Sequence, residues 1–261
     1  MTNIVVLIKQ VPDYESEKKL NEADYTLDRE AADVVLDEIN ERAVELALQL
    51  KEAGGGEVTV LCAGPDRATD AIRKALSMGA DKAVHLNDPA LHGSDVIQTS
   101  WALANVLGTI EGTELVICGN EASDGRMGAT PAIIAEYLGL PQLTHMTSLE
   151  LADGQAKGVR ETDEGVFDVE ATLPCIVSVS EKINEPRFPS FKGIMAAKKK
   201  PVEVLSLADA NVEASQVGVE NAASQVTAAT PKPPRAAGEK VTDEGEGGND
   251  VAKYLVAQKL I

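Results

Sequence analysis

The first two-thirds of the chain alternates short apolar runs with stretches of helical spacing. Apolar residues fill positions 4–8 and 115–118 and all but one position of 58–63 and of 83–86, and each run predicts a buried strand. Between these runs, apolar residues recur three or four positions apart, as they do over positions 36–50, which predicts amphipathic helices. Strands that alternate with helices in this way predict an α/β domain with a parallel sheet.

Polar residues and glycines predict where the helices begin and end. The three glycines at 54–56 should end the first helix, Asp66 should start the second, and Ser94 should cap the third. A fourth helix is predicted around residues 132–138, after a loop that contains several glycines.

The pattern changes after Pro141. Short alternating segments at 143–149, 159–162 and 166–172 predict antiparallel strands, either added to the sheet edge or forming a small subdomain. The nearly continuous apolar run at 173–179 predicts a strand that returns to the sheet interior.

The last quarter of the chain has a different composition. After a short predicted strand at 202–205, residues 208–248 are rich in Ala, Ser, Pro, Gly and Glu, a composition that buries too little apolar surface to fold alone. Val251, Tyr254, Leu255 and Leu260 then recur at helical spacing. Two interpretations stay open: an arm whose terminal helix packs on another protein, or a helix that folds back on its own domain.

Composition excludes some classes of partner. The 261 residues carry a formal charge of −18, which disfavours nucleic acid and anionic membrane surfaces as partners. No apolar run approaches the roughly 20 residues that span a bilayer, so direct membrane insertion is not expected. The opening lacks a basic segment and a cleavage site, so we expect no secretory signal. Cys62, Cys118 and Cys175 lie far apart and resemble core thiols of a cytoplasmic protein.

Most enzyme motifs are missing. The chain lacks the glycine-rich dinucleotide fingerprint, the Walker phosphate loop and the nucleophile elbow. His85, His92 and His145 stand alone, without other ligands at metal-binding spacing. The sequence therefore predicts no catalytic residue and no metal site.

The loop at residues 119–131 has features of an anion site. It follows a buried strand and precedes a helix, and ligands bind beyond the carboxyl ends of parallel strands. Gly125 and Gly128 would allow close backbone approach to a phosphate at the helix N-terminus, and Ser123 and Thr130 could donate hydroxyl groups. The residues alone also fit an ordinary strand-to-helix loop with a polar cap.

A second distinctive stretch runs from Lys182 to Lys200. It holds six bases and one acid, a local charge of +5, and two of the three phenylalanines of the chain. Exposed aromatic residues beside bases are typical of protein-docking surfaces. A solvated basic loop with its aromatic side chains turned inward fits the composition equally well.

These segments together resemble the beta subunit of electron-transfer flavoprotein, in particular its actinobacterial members, over essentially the whole chain. The run NEPRFPSFKGIM at 184–195, followed by three lysines, is the most diagnostic. The other matching segments are VLIKQVPD at 6–13, DEINERAVE at 37–45, ALSMGAD at 75–81, the loop at 119–131, RETDEG at 160–165 with Glu170 and Leu173-Pro174, and AGEKV at 237–241.

The resemblance implies a Rossmann-like α/β fold with a small antiparallel extension, an extended recognition loop and a C-terminal arm ending in a helix. Residues 1–205 would form an adenine-nucleotide-binding domain with the recognition loop at 183–200, and residues 206–261 would form an arm that packs on an alpha subunit. The implied AMP contacts are Leu7, Asp37, Glu38, Ile39, Asn40, Ala63, Ser123, Asp124, Gly125, Arg126, Met127, Gly128, Ala129, Thr130 and Pro131.

The resemblance also implies an electron carrier, not an enzyme in its own right. The chain would form a heterodimer with the alpha subunit, which holds most of the FAD, while Tyr14 contacts the flavin across the subunit boundary. Partner recognition would fall to Phe191, Ile194, Met195 and Glu161. Electrons would come from acyl-CoA dehydrogenases and pass to a membrane quinone oxidoreductase. The alternatives are a bifurcating member with a second FAD in place of AMP, or a stand-alone adenine-nucleotide sensor.

Overall fold

A computed structural model of the chain describes residues 1–235, 237–238 and 240–261. These residues divide into two compact units, Met1–Thr227 and Ala228–Ile261. Ala236 and Glu239 lie outside the described residues. Glu239 belongs to the AGEKV motif at 237–241, which the structure therefore describes only in part. Across the described ranges, no helix is long and apolar enough to cross a membrane.

The secondary structure follows the predicted alternation. The strands are β1 (Ile4–Ile8), β2 (Gln10–Pro12), β3 (Val34–Leu36), β4 (Val58–Ala63), β5 (Lys82–Leu86), β6 (Leu115–Gly119), β7 (Gln142–Ala152), β8 (Gln155–Thr162), β9 (Gly165–Thr172), β10 (Cys175–Val179) and β11 (Val202–Leu205). The helices are α1 (Glu38–Gly54), α2 (Thr69–Met78), α3 (Val96–Thr109), α4 (Thr130–Leu138), α5 (Phe191–Ala197) and, in the second unit, α6 (Gly247–Ala257).

One large sheet organises the first unit. In the described residues it has nine strands in the order β11-β5-β4-β1-β6-β10-β7-β8-β9. All pairs from β11 to β7 are parallel, whereas β7, β8 and β9 pair antiparallel. The predicted α/β class is confirmed, and the antiparallel strands extend the sheet edge. Strands β2 and β3 form a separate antiparallel ribbon.

Helices cover both faces of the parallel part of the sheet. Because side chains of β1 alternate between the faces, Val6 packs in the same cluster as residues of α1 and α2, whereas Val5 packs with residues of α3 and α4. All five residues of β1 are buried. This two-sided burial explains why β1 is continuously apolar.

The third helix begins one residue later than predicted. Asp95 caps α3, because its carboxylate accepts the Gln98 N–H at 3.0 Å while the Gln98 side chain accepts the Asp95 N–H at 3.1 Å. The Ser94 hydroxyl instead accepts the Gly218 N–H at 2.9 Å. The second helix also differs, since a single 3-10 turn at Asp66–Ala68 precedes α2.

The compact first unit extends beyond the predicted boundary at residue 205. Leu207, Ala210, Val212 and Val217 are buried, and they belong to the cluster that contains residues of α3 and α4. The segment therefore completes the core on that sheet face. The boundary between the units lies after Thr227 instead.

Candidate functional site

The candidate site lies where the strand connections change direction. Strand β1 stands between β4 and β6, and the chain fills the β4 side first, through α1 and α2, before it crosses to β6. In open α/β sheets, the crevice beyond the carboxyl ends of two such strands is the usual ligand site. The loop at 119–131 starts at this edge, directly after β6.

Asp37 joins two elements at this crevice. Its Oδ1 caps α1 by accepting the N–H groups of Ile39 at 3.0 Å and Asn40 at 3.3 Å. Its Oδ2 accepts the Ser123 N–H at 2.9 Å. Because the Asp37 side chain is buried, one carboxylate fixes both the start of α1 and the loop after β6.

Asn40 and Gly119 allow α1 to approach the ends of β1 and β6. The Asn40 Oδ1 accepts the Lys9 N–H at 2.7 Å, directly after β1. A Cβ added to Gly119 would lie 2.6 Å from Asn40 Nδ2 and 3.1 Å from Ile39 Cγ2. The glycine at the end of β6 is thus required by the close packing of α1.

Asp124 holds the middle of the loop through two cations. Its carboxylate accepts hydrogen bonds from Lys9 Nζ at 2.7 Å and from the Arg29 guanidinium at 2.8 Å, and the side chain is only 2% exposed. Burial raises the pKa of this carboxyl, but Lys9 and Arg29 outweigh burial and leave the pKa below its ordinary value of 3.8. The Lys9, Arg29 and Asp124 side chains together carry a charge of +1, and the buried Asp37 carboxylate lies in the same crevice.

The tip of the loop presents backbone to solvent. Gly125, Arg126, Met127 and Gly128 are exposed. Gly128 has φ +66°, and a Cβ placed there would meet nothing closer than the Asn120 carbonyl oxygen at 3.8 Å. Among the described residues, no side chain hydrogen-bonds to cap α4, which follows at Thr130. Pro131 has no N–H, so the N–H groups of Thr130 and Ala132 are the donors that the start of α4 can offer an anion.

The structure brings together some of the predicted nucleotide residues. Asp37, Asn40, Ser123 and Asp124 share the hydrogen-bond network described above. The other positions differ in exposure: Leu7 and Pro131 are buried, Ile39, Ala63, Ala129 and Thr130 are partly buried, and Glu38 is exposed. Tyr14 follows β2 and is 77% exposed.

The sequence interpretation missed Lys9 and Arg29. Lys9 carried a usable signal, because it directly follows a continuously apolar strand and so must lie at the ligand edge of the sheet. Arg29 lies 95 positions from Asp124, and nothing in the local sequence marks their contact.

The three cysteines and His85 are buried in the core. Burial raises the pKa of Cys62 and Cys118 to about 12 and that of Cys175 to about 11, so these thiols stay protonated at neutral pH. His85 Nε2 lies 2.9 Å from the Gly64 carbonyl oxygen in the core. In the part of the chain that the structure describes, no cluster of three His, Cys, Asp or Glu side chains could hold a metal ion.

A second surface lies on the basic segment, which we define as residues 183–200. Phe188 is 94% exposed and Phe191 is 80% exposed, while Ile194 and Met195 are about half exposed. The aromatic side chains are thus turned outward, which excludes the interpretation of a loop that packs them inward. Glu161, on β8, pairs with Lys182 Nζ at 2.5 Å just before this segment.

Comparisons with known proteins all match the chain to one protein family. The family described as "Electron transfer flavoprotein domain" matches residues 24–210. Over 266 aligned residues, the chain is 72% identical to the electron transfer flavoprotein subunit beta of Mycobacterium tuberculosis and 70% identical to that of Mycobacterium leprae, with all of each chain covered. It is 32% identical over 256 residues to the caffeyl-CoA reductase-Etf complex subunit CarD of Acetobacterium woodii, covering 98% of this chain and 97% of that protein.

The Asp124 network generates a prediction about pH. Because the folded chain lowers the pKa of this carboxyl, its stabilisation is present above pH 3.8 and is lost as the pH falls through the lower folded-state pKa. At pH 7, Asp124→Asn should reduce the free energy of unfolding by about 2 kcal/mol, the scale of a charge-assisted hydrogen bond. Denaturant unfolding from pH 7 to pH 2.5 measures the difference from wild type, which should shrink in the acidic range.

The exposed strand residue Glu150 supplies the control. Glu150→Gln should change the free energy of unfolding by less than about 0.5 kcal/mol at every pH. A difference between wild type and Asp124→Asn that stays constant with pH would contradict the ion-pair assignment.

Proposed function

The chain belongs to the electron transfer flavoprotein family as a beta subunit, and we propose that it binds AMP in the crevice beyond β1 and β6 and supports an FAD held mainly by its alpha subunit. Members of this family are electron carriers, and a beta subunit implies an alpha-subunit partner. The observation that carries the AMP proposal is the start of α4, whose N-terminal backbone lacks a side-chain cap in the described residues and lies at the ligand edge of the sheet.

The residues around α4 fit a nucleotide monophosphate. Positive φ at Gly128 turns the backbone without a side chain in the way, and the Asp124 network contributes two cations on one carboxylate. Ser123 and Thr130 would donate to the phosphate, while Leu7 and Ala63, at the ends of β1 and β4, would contact the adenosine. AMP has no redox chemistry, so its role would be to complete this edge of the fold.

A bound FAD would supply the redox chemistry, and the beta subunit would orient it. Tyr14 is exposed on the chain that follows β2, where it can contact a flavin held by another subunit. We propose that electrons arrive from acyl-CoA dehydrogenases docked on the basic segment and leave to a membrane quinone oxidoreductase. Electron transfer from an acyl-CoA to a quinone that requires both the heterodimer and that oxidoreductase would support the last step.

Nucleotide analysis tests the proposal against its alternative. The heterodimer, purified with its alpha subunit, is denatured and the released nucleotides are quantified by chromatography and mass spectrometry. One AMP and one FAD per heterodimer would support the proposal. Two FAD and no AMP would support a bifurcating member instead, an alternative raised by the relative whose name places it in a reductase-Etf complex. Full-length similarity to beta subunits disfavours the stand-alone sensor.

Gly128→Asp should abolish AMP binding. The side chain has room, and Asp tolerates positive φ, so the fold should persist. The added carboxylate would oppose the phosphate in a site built for an anion. Gly128→Asn has nearly the same shape without the charge and should retain more AMP. AMP per heterodimer and melting temperature measure both effects; stoichiometric AMP in Gly128→Asp would show that the loop is misassigned.

The second unit is proposed to pack on the alpha subunit. Within α6, Val251, Tyr254 and Val256 are all more than half exposed, which leaves an apolar surface available to a partner. A chain ended at Thr227 should stay folded, because the first unit holds the described core, yet it should no longer copurify with the alpha subunit. Full-length Val251→Ser/Tyr254→Ser should weaken copurification, and undiminished copurification of the shortened chain would refute the arm.

Phe191→Ala should weaken dehydrogenase docking. Burying this exposed ring in a partner would contribute about 1.5–3 kcal/mol, so its loss should raise the apparent KM for the heterodimer roughly 10- to 100-fold. Melting temperature, FAD content and AMP content should stay near wild type. Val204→Ala, at a 60% exposed apolar position on β11, serves as the control and should leave KM unchanged. A lower melting temperature with normal kinetics would contradict docking through Phe191.

A further inference from the structure

The basic segment is attached to α1 by Arg187. The Arg187 guanidinium donates to both carboxylate oxygens of Glu45, at 2.7 and 3.1 Å, and to both carboxylate oxygens of Glu52, at 2.5 and 3.1 Å. Its backbone N–H also donates to Glu45 at 3.2 Å. Because the guanidinium makes paired hydrogen bonds to two carboxylates, both the position and the orientation of the Arg187 side chain are fixed. We call these three residues the α1 anchor.

Glu45 makes the α1 anchor more than a surface ion pair. Its side chain is 6% exposed, so the carboxylate depends on Arg187 for compensation of its charge. Hydrogen bonds to Glu52 and Glu45 raise the pKa of Arg187 further above its ordinary value. Arg42 and Asn184 add a backbone connection, because each side chain donates to the carbonyl oxygen of the other residue. The segment therefore has a fixed start on α1.

The end of the segment is attached to α2 by two reciprocal contacts. The Arg73 guanidinium, on α2, donates to the carbonyl oxygens of Ala197 at 2.6 Å and Lys200 at 3.1 Å. Lys200 Nζ donates to the carbonyl oxygens of Leu76 at 3.0 Å and Ala80 at 2.5 Å. Cations at helix C-termini donate hydrogen bonds to the free carbonyl groups and interact favourably with the negative end of the helix dipole. We call Arg73 and Lys200 the α2 anchor.

Helix α5 lies between the anchors and is itself fixed. The Ser190 hydroxyl caps it by accepting the Gly193 N–H at 3.1 Å. A Cβ added to Gly193 would collide with the Ser77 carbonyl oxygen, so α5 lies directly against α2. Ala197 is buried, whereas Phe188, Phe191, Ile194 and Met195 are exposed. The anchored backbone thus carries an apolar surface that its own core does not use.

We propose that Arg187, Arg73 and Lys200 are positioning residues that hold residues 188–197 in the conformation a partner dehydrogenase binds. This inference rests on the proposed docking through Phe191. Ordering a free loop on binding costs conformational entropy for each residue fixed, and a preorganised loop avoids that cost. Lys200 is then a structural cation, and within the lysine run Lys198 and Lys199 are the residues exposed to the partner.

The first test measures order in the segment of the intact heterodimer. Arg187→Lys keeps the charge but cannot donate paired hydrogen bonds to each of two carboxylates, and Arg73→Met removes the cap of α5 without leaving a buried carboxylate unpaired. Hydrogen–deuterium exchange of the amides at 193–197 should become at least 10-fold faster in both variants. Lys198→Met, which also removes one charge but touches neither anchor, should exchange like wild type.

The second test measures docking on the same proteins. With a medium-chain acyl-CoA dehydrogenase and octanoyl-CoA, the apparent KM for each anchor variant should rise about 5- to 10-fold while kcat stays within twofold of wild type. The increase should persist at 0.5 M salt, because it arises from lost order and not from lost surface charge. Any increase in Lys198→Met should disappear at that salt concentration. AMP content and reduction by dithionite should match wild type.

The outcomes separate this inference from the docking proposal. Unchanged exchange in both anchor variants would overturn the inference, and so would faster exchange with an unchanged KM. If Arg187→Lys fails to fold, Arg73→Met decides the question by the same criteria. Should Phe191→Ala leave KM unchanged, docking through Phe191 fails, and the inference falls with it whatever the exchange rates are.

Discussion

The buried carboxylate of Asp37 is the contact on which the nucleotide crevice depends. It satisfies the first N–H groups of α1 with one oxygen and the Ser123 N–H with the other, so a helix start and a distant loop share a single acceptor. Ser123 lies 86 positions after Asp37 in the sequence. Replacing either oxygen with a donor would leave a buried N–H without its partner, which costs more than the bond itself contributes. The shape of the crevice therefore follows from one residue at a helix cap.

Helix α1 connects this crevice with the basic segment. Asp37 and Asn40 act at its start, while Glu45 and Glu52 hold Arg187 further along the same helix. From Glu38 to Glu52 the helix rises about 20 Å at roughly 1.5 Å per residue. Its buried face, which includes Ala43, Val44 and Ala47, packs tightly against the sheet. One rigid element thus sets the distance between the proposed nucleotide site and the proposed docking surface.

How far the sequence predicts this protein depends on whether the determining contacts are local. Apolar runs gave the bounds of β1 and β4 correctly, because burial on a parallel sheet is visible residue by residue. The predicted cap of α3 was wrong, because the Ser94 hydroxyl accepts a hydrogen bond from Gly218, a residue 124 positions away. For the same reason, the predicted domain boundary at residue 205 excluded four apolar residues that pack against a core distant in sequence. Within the candidate site, the loop was predicted, but the partners Lys9 and Arg29 were not.

The charge of the basic segment shows the same limit and changes how docking should be understood. The sequence assigns +5 to residues 182–200, yet Arg187 is bound to Glu45 and Glu52, Lys182 to Glu161, and Lys200 to helix carbonyl groups. Lys192, Lys198 and Lys199 are the exposed bases of the segment that make none of these contacts, on a chain with a formal charge of −18. Exposed charges steer an encounter and are screened by salt, whereas buried apolar contacts determine how long a complex lasts. A carrier that must release each partner quickly is better served by a small, preordered apolar surface with few charges than by a strongly basic one, because binding then requires neither a large interface nor the ordering of a loop.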